Sequence, residues 1–212
     1  YLSSKYNVAL NGNDYFTHDL GGGGSHYYDV AGIGRENASN THLFAQSAKM
    51  MEIGDPSDLG DGEYLLFGHE NGDVSSWTTT EAPVGQRVAR EWRLDETGNV
   101  GNVLVRIDTT YLPSKPAGYK DYVLWVDSDG DFGSGAAQYP LNMVNGQFQG
   151  ENIEVSDNDY ITFGIIRTLQ FEDTVSTTTE GTDTARIVVN LSTTFGSDVT
   201  VDYAVTGGTA TG

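Results

Sequence analysis

The sequence predicts an all-β protein built around a β-sandwich, and three observations carry that expectation. Nearly every apolar run is about four to eight residues long, with turn-forming residues recurring roughly every 8 to 12 positions. Glycine is abundant at 27 and proline sparse at 5, with Thr, Ser, Asn and Asp filling the gaps, a composition of many turns rather than of a helical bundle. The 212 residues suffice for one large domain with a sizeable core, or for one and a half smaller ones.

Taken in order, Tyr1, Leu2, Lys5, Tyr6 and Leu10 fall at near-helical spacing, so a helical turn or two is expected over residues 1–10. NGNDYFTHDLGGGGSH then reads as a mobile loop; it is not a phosphate cradle, because no Gly-Lys-Ser/Thr follows. YYDVAGIG (27–34) is the first strand, and the GIGRENA within and after it lacks the third glycine of a dinucleotide fingerprint. HLFAQSAKMMEIG (42–54) reads as one strand or two, followed by a DPSDLGDGE turn and a strand in EYLLFGHENGD. Val88, Trp92 and Leu94 share one face, with Ala89, Glu91, Arg93 and Asp95 on the other. Val103, Val105 and Ile107 point inward while Leu104 and Arg106 point outward, and the intervening ETGNVG reads as a hairpin turn. DYVLWVD, QYPLNMV, GQFQGENIEV and YITFGIIR complete the set.

From about Thr168 the texture changes. Ala185, Ile187, Val189 and Leu191 alternate with Arg186, Val188 and Asn190, and Val199, Val201, Tyr203 and Val205 mark a second alternating strand. A domain boundary is expected near residues 167–172. The unit beyond it is too short for an independent sandwich.

The formal net charge is -19, from 30 Asp and Glu against 11 Lys and Arg. A field of that sign repels nucleic acid and anionic lipid and favours divalent cations. With no cysteine, a core or metal ions must supply stability in place of disulfides. No apolar stretch reaches the roughly 18 residues of a membrane span, so no membrane insertion is expected of this segment. The chain does not begin with methionine, and it is read as an internal piece of a longer protein, with export signals lying outside it.

LWVDSDGDFGSG (124–135) holds the candidate metal site. Asp127, Asp129 and Asp131 supply three carboxylates at alternate positions, and calcium takes six to eight oxygens at about 2.3–2.6 Å. Counting Asp127 as the first position of an EF-hand puts Phe132 where glycine is needed and Gln138 where a bidentate glutamate is needed. A sensor-type hand is therefore excluded. A weak calcium loop of the extracellular kind remains, with Glu151, Glu154, Asp157 or Asp159 as further ligands; so does a plain acidic turn.

Trp92 and Trp125 sit in strand patterns and read as core, whereas Trp77 lies in the polar stretch DVSSWTTTEAP. It either stacks on a sugar ring or folds back over the sandwich edge. The histidines His18, His26, His42 and His69 show no HExxH and no Ser/His/Asp order. His18, Asp19 and His26 are a remote candidate for a transition metal. Glu91 and Glu96 suit solvated strand faces better than a glycosidase pair, so no enzymatic activity is expected. Asn37 and Asn190 head sequons to which no role is given.

Two resemblances refine this reading. EGTDTARIVVNLS and GSDVTVDYAVTGGTATG are similar to the opening half of a Calx-beta domain, an immunoglobulin-like sandwich, over roughly 171–212. YLSSKYNVAL, DVAGIGREN, QSAKMMEIG, YLLFGHENG, AREWRLDETGNVGNV, LWVDSDGDF and DNDYITFGI resemble an uncharacterised β-sandwich domain of large bacterial surface proteins. That domain commonly follows a concanavalin-like LamG jelly roll. The resemblances imply that residues 1–10 are the tail of a preceding domain, 11–167 the surface-protein sandwich and 168–212 a partial Calx-beta domain. They imply a non-catalytic module of a type-IX-secreted, extracellular or cell-surface protein, acting in adhesion or as a calcium-stiffened stalk. Its partners would be neighbouring domains of the same chain, surface or matrix glycans, or other copies of itself. The alternatives are a carbohydrate-binding accessory module and a structural subunit of an extracellular filament.

Overall fold

The computed structural model describes residues 15–19, 24–167, 169–171, 188–191 and 200–201. The helix expected over 1–10 and most of the Thr-rich segment lie outside the described residues. The strands are β1 (Tyr28–Asn37), β2 (Asn40–His42), β3 (Phe44–Ser47), β4 (Met51–Gly54), β5 (Glu63–His69), β6 (Gln86–Arg87) and β7 (Trp92–Thr97). They continue with β8 (Val103–Ile107), β9 (Asp121–Asp127), β10 (Ala137–Val144), β11 (Gln147–Ile153), β12 (Tyr160–Ile166), β13 (Leu169–Phe171) and β14 (Val189–Leu191). The described structure is all-β, as the turn spacing predicts.

One antiparallel sheet runs β2-β1-β5-β7-β12-β9-β10-β11-β8-β4-β3, with β6 added on β12. It folds into two layers because β10 changes partner along its length. Its residues 137–141 pair with β9, and its residues 142–144 pair with β11. The sheet nearly closes on itself, since its two edge strands, β2 and β3, are separated in sequence only by Leu43. β13 pairs with β14 in a separate two-stranded ladder.

The core fills the space between the layers. Ile33, Phe67, Trp92, Leu94, Leu124 and Phe163 of the first layer meet Met51, Ile53, Val105 and Ile107 of the second. Trp92 is fully buried, and its indole N–H donates to Ser47 Oγ at 3.0 Å, joining β7 to β3 across the sandwich. Val103, Val105 and Ile107 are inward as expected, although Leu104, expected outward, is also 9% exposed only.

β9 and β12 are buried on both faces. Tyr122, Leu124 and Val126 belong to the main core, while Val123 and Trp125 form a second cluster with Phe132. Residues 128–136 thus fold back over the outer face of β9. Gly164 makes room for this packing, because a Cβ there would stand 1.9 Å from Trp125 Cζ3. A second cover is made by residues 15–19 and 24–27, which bring Phe16, His18 and His26 against β5, β7 and β12.

One connection departs from expectation. β7 pairs with β5 and β12, whereas β8 pairs with β4 and β11. ETGNVG is therefore not a hairpin turn; it crosses from one layer to the other. Val100 plugs the crossing, fully buried, with its N–H donating to Glu96 Oε1 at 2.8 Å and its carbonyl accepting from Asp58 N at 3.0 Å. Gly98 and Gly101 supply positive φ there, as they would in a hairpin. Local turn chemistry is the same for both routes, so only the pairing of the flanking strands decides between them.

Candidate functional site

β9 delivers Asp127 to the mouth of the β9–β10 connection, where the chain must turn sharply. Each aspartate stabilises the next step of that turn. Asp127 Oδ1 accepts from Asp129 N (2.8 Å) and Gly130 N (2.9 Å), Asp129 Oδ1 from Asp131 N (2.8 Å), and Asp131 Oδ1 from Gly133 N (3.1 Å). These are side-chain mimics of backbone turns, the reason Asp is favoured in such positions. The loop is pinned from below by Phe132, fully buried against Val123 and Trp125. The Arg87 guanidinium lies 5.1 Å from the Phe132 ring centre, while its Nη2 pairs with Glu81 at 2.6 Å and Glu91 at 2.9 Å. Gln138 likewise has a structural partner, accepting from Trp125 Nε1 at 3.2 Å.

The three aspartates are therefore staggered along the loop. Asp127 is buried, and Asp129 and Asp131 are exposed. What the fold does bring together is Asp127 with Glu154 and Asp159, which line one hollow of about 230 Å³ with Ser128, Tyr139 and Ser156. Asp159 Oδ2 accepts from Ser156 N at 2.8 Å. Burial pushes the Asp159 carboxyl above its ordinary range, and the nearby charges of Asp127, Asp157 and Glu154 add to the shift. Burial also raises Asp127, helped by the Asp129 carboxyl beside it. Asp129 is held low by the Asp131 N–H and by its hydrogen bond with Asp127. Among the described residues no three His, Asp or Glu side chains stand as a ready-made ligand set.

Trp77 is half-buried. Its indole N–H donates to the Ser114 carbonyl at 3.1 Å, and its ring is tilted against Tyr122 at 6.5 Å. Glu91 serves as a partner of Arg87, and Glu96 as the acceptor for Val100 N.

The sequence reading grouped His18 with His26 around Asp19, and what it missed is that His69 joins them. His18 and His26 lie in the cover over the sheet, and His69 ends β5; all three are buried. His18 Nε2 donates to the Leu94 carbonyl at 3.1 Å, beside Thr17, whose N and Oγ1 donate to Asp95 Oδ2 at 2.6 and 2.9 Å. His69 Nδ1 accepts from Asn71 N at 3.0 Å, which leaves its proton on Nε2, 3.2 Å from Asp29 Oδ2. His26 stacks edge-on against Tyr160, and its Nε2 is buried without a hydrogen-bond partner. Burial lowers His26 and His69 to about 4, with Arg93 adding to the effect on His26 and Arg90 to that on His69. Burial and Arg93 also lower His18. Nothing in the sequence placed His69 beside the other two, because it reaches them only through strand pairing.

Fold and site together define an all-β module with an acidic hollow at one end and a cover held by neutral histidines. A family model for a domain of unknown function, DUF8202, matches residues 1–159, and the chain belongs to that family. The match stops one residue before β12, yet β12 joins β7 and β6 to β9, so the folded sheet extends through Ile166. No curated protein and no solved structure matches the chain.

Proposed function

We propose that this chain is a non-catalytic extracellular module of a large secreted or cell-surface bacterial protein, acting in adhesion or as a stalk segment stiffened by calcium. The finer family reading belongs to the same proposal: a module following a LamG-like jelly roll and leading into a Calx-beta domain. The observation that carries it is the hollow that Asp127, Glu154 and Asp159 line together. Burial and mutual repulsion disfavour the charged forms of Asp127 and Asp159, and a divalent cation relieves both costs at once. Ligation requires Glu154 or Asp129 to turn inward, which their exposed positions allow. The ion would then tie the β9–β10 loop to the β11–β12 loop and stiffen that end of the sandwich.

A melt with calcium against chelator tests this. For a Kd of about 10⁻⁴–10⁻³ M, calcium at about 10 mM stabilises by roughly 1.5–3 kcal/mol. That corresponds to about 3–10 °C in midpoint for a domain of this size. Asp159→Asn should abolish the shift, and an unchanged wild-type midpoint would sink the calcium reading.

A further inference from the structure

Asparagine followed by glycine occurs at Asn11–Gly12, Asn71–Gly72 and Asn145–Gly146. In such a pair the side-chain amide is open to attack by the main chain, because the glycine has no side chain to hinder the approach. The glycine nitrogen closes a five-membered ring on the asparagine Cγ. Whether it can do so depends on what holds the two groups. Asn11–Gly12 lies outside the described residues, and the structure treats the other two pairs in opposite ways.

Asn71–Gly72 is clamped. Gly72 N donates to Glu70 Oε1 at 2.8 Å, so the attacking nitrogen is engaged. Asn71 N donates to His69 Nδ1 at 3.0 Å, and Asn71 Oδ1 accepts from Arg90 Nη2 at 3.3 Å. Arg90 Nε completes the clamp by donating to the Gly72 carbonyl at 3.1 Å. A Cβ at Gly72 would stand 2.9 Å from the Ala89 carbonyl oxygen, so the glycine is seated against neighbouring backbone and has little room to turn.

Asn145–Gly146 is open. It forms the two-residue connection between β10 and β11, closed by the Val144–Gln147 pair. Asn145 (φ 51°) and Gly146 (φ 85°) have the backbone of a tight hairpin turn in which Asn-Gly is favoured. Both residues are exposed, and a Cβ at Gly146 would meet nothing within 4 Å. Among the described residues, neither the Asn145 side chain nor Gly146 N has a hydrogen-bond partner. Asn71 is also left-handed, at φ 69°. The sign of φ therefore does not separate the two pairs, and hydrogen bonding does.

We propose that Asn145 is a site of spontaneous deamidation and that the clamp of Glu70 and Arg90 protects Asn71 from the same reaction. Gly146 N forms a bond to Asn145 Cγ, the side-chain nitrogen leaves as ammonia with the Gly146 N proton, and a cyclic imide remains. Water then adds to one of the two imide carbonyls. Cleavage of the new Cγ–N bond gives aspartate, and cleavage of the original peptide bond gives isoaspartate. The aspartyl product keeps the turn, since Asp-Gly suits it as Asn-Gly does. The isoaspartyl product adds a methylene to the main chain inside a two-residue turn, which strains the Val144–Gln147 and Met143–Phe148 pairs. Phe148 lies edge-on to Tyr122 at 4.7 Å, so the strain reaches the margin of the core.

The test is peptide-mapping mass spectrometry of the full chain aged in mildly alkaline buffer, folded and in guanidinium chloride. In the folded chain Asn145 should convert about tenfold faster than Asn71 or more, because hydrogen bonds of ordinary strength must break before Gly72 attacks. In guanidinium the two rates should converge. Glu70→Ala frees Gly72 N and should speed conversion at Asn71 while leaving Asn145 unchanged; the wild-type comparison stands even where that variant unfolds. Of the products separated by ion exchange, the isoaspartyl form should melt below the aspartyl form. Equal folded rates at the two sites, faster conversion at Asn71, or an Asn145 that converts only in guanidinium would each overturn the proposal.

Discussion

Acidification should loosen this protein through the histidines that hold the N-terminal cover. His26 and His69 titrate at about 4 in the folded chain, against about 6.5 when unfolded. Between those values the unfolded chain binds the proton and the folded chain does not. Stability is therefore complete above pH about 6.5 and is lost as the pH falls toward 4. Each shift corresponds to about 3 kcal/mol, and two of them are comparable with the whole stability of many domains. The raised carboxyls Glu70, Glu91, Glu96, Asp127 and Asp159 work the other way. Their folded pKa values lie above the unfolded ones, so protonating them on acidification favours the fold and partly masks the histidine term. A difference measurement removes that background. His26→Phe keeps a ring against Tyr160 and deletes both the titration and the unpartnered Nε2. Urea unfolding of wild type and variant, followed by tryptophan fluorescence and far-UV circular dichroism, gives ΔG at about pH 7.5 and about pH 4.5. Relative to wild type, the variant should gain about 2–3 kcal/mol over that interval. An equal difference at both pH values would refute the reasoning, whatever the absolute stability of the variant.

Two core substitutions test how the acidic loop is held. Phe132→Ala removes a fully buried ring beneath the loop and should cost about 3–5 kcal/mol in urea unfolding; a loss below about 1 kcal/mol would mean that the loop does not depend on this anchor. Gly164→Ala places a methyl 1.9 Å from the Trp125 ring and should cost about 1–3 kcal/mol, with a shift of tryptophan emission as the indole is displaced; unchanged emission and stability would contradict the close packing of β12 under Trp125.

Much of the fold was legible because the strand positions follow from local pattern. Val103, Val105 and Ile107 alternate inward, and the Ala48–Lys49 turn resolves HLFAQSAKMMEIG into β3 and β4. DYVLWVD and YITFGII carry almost no alternation, and the structure gives the reason: both faces are covered, one by the opposite layer and the other by loops. A sequence pattern reports that a strand is buried twice, but not which loop covers it. The same limit explains ETGNVG, whose glycines fit a hairpin and a crossing equally well. At the acidic loop, Phe132 and Gln138 stood visibly in positions a calcium hand needs for other residues. Their structural roles, one under Arg87 and the other bonded to Trp125, depend on contacts from elsewhere in the chain.

The two covers share a physical problem, and this connects the candidate sites. The outer faces of β5, β7, β12 and β9 carry groups such as Val123, Trp125, Thr162 and Gly68 that need shielding. Residues 15–19 with 24–27 and residues 128–136 supply the shield. Loops cannot satisfy their backbone groups by a ladder, so polar side chains contribute: Asp95 accepts from Thr17 N in one cover and His18 ties that cover to the Leu94 carbonyl of the sheet, while Asp127, Asp129 and Asp131 serve the other cover. Those anchors are titratable, whereas the core between the layers is almost wholly aliphatic and aromatic, and the phenol of Tyr122, its one ionisable group among the described residues, is pushed further above neutral pH by burial. Proton-responsive groups therefore gather where the covers meet the sheet, at His26, His69, Asp127 and Asp159.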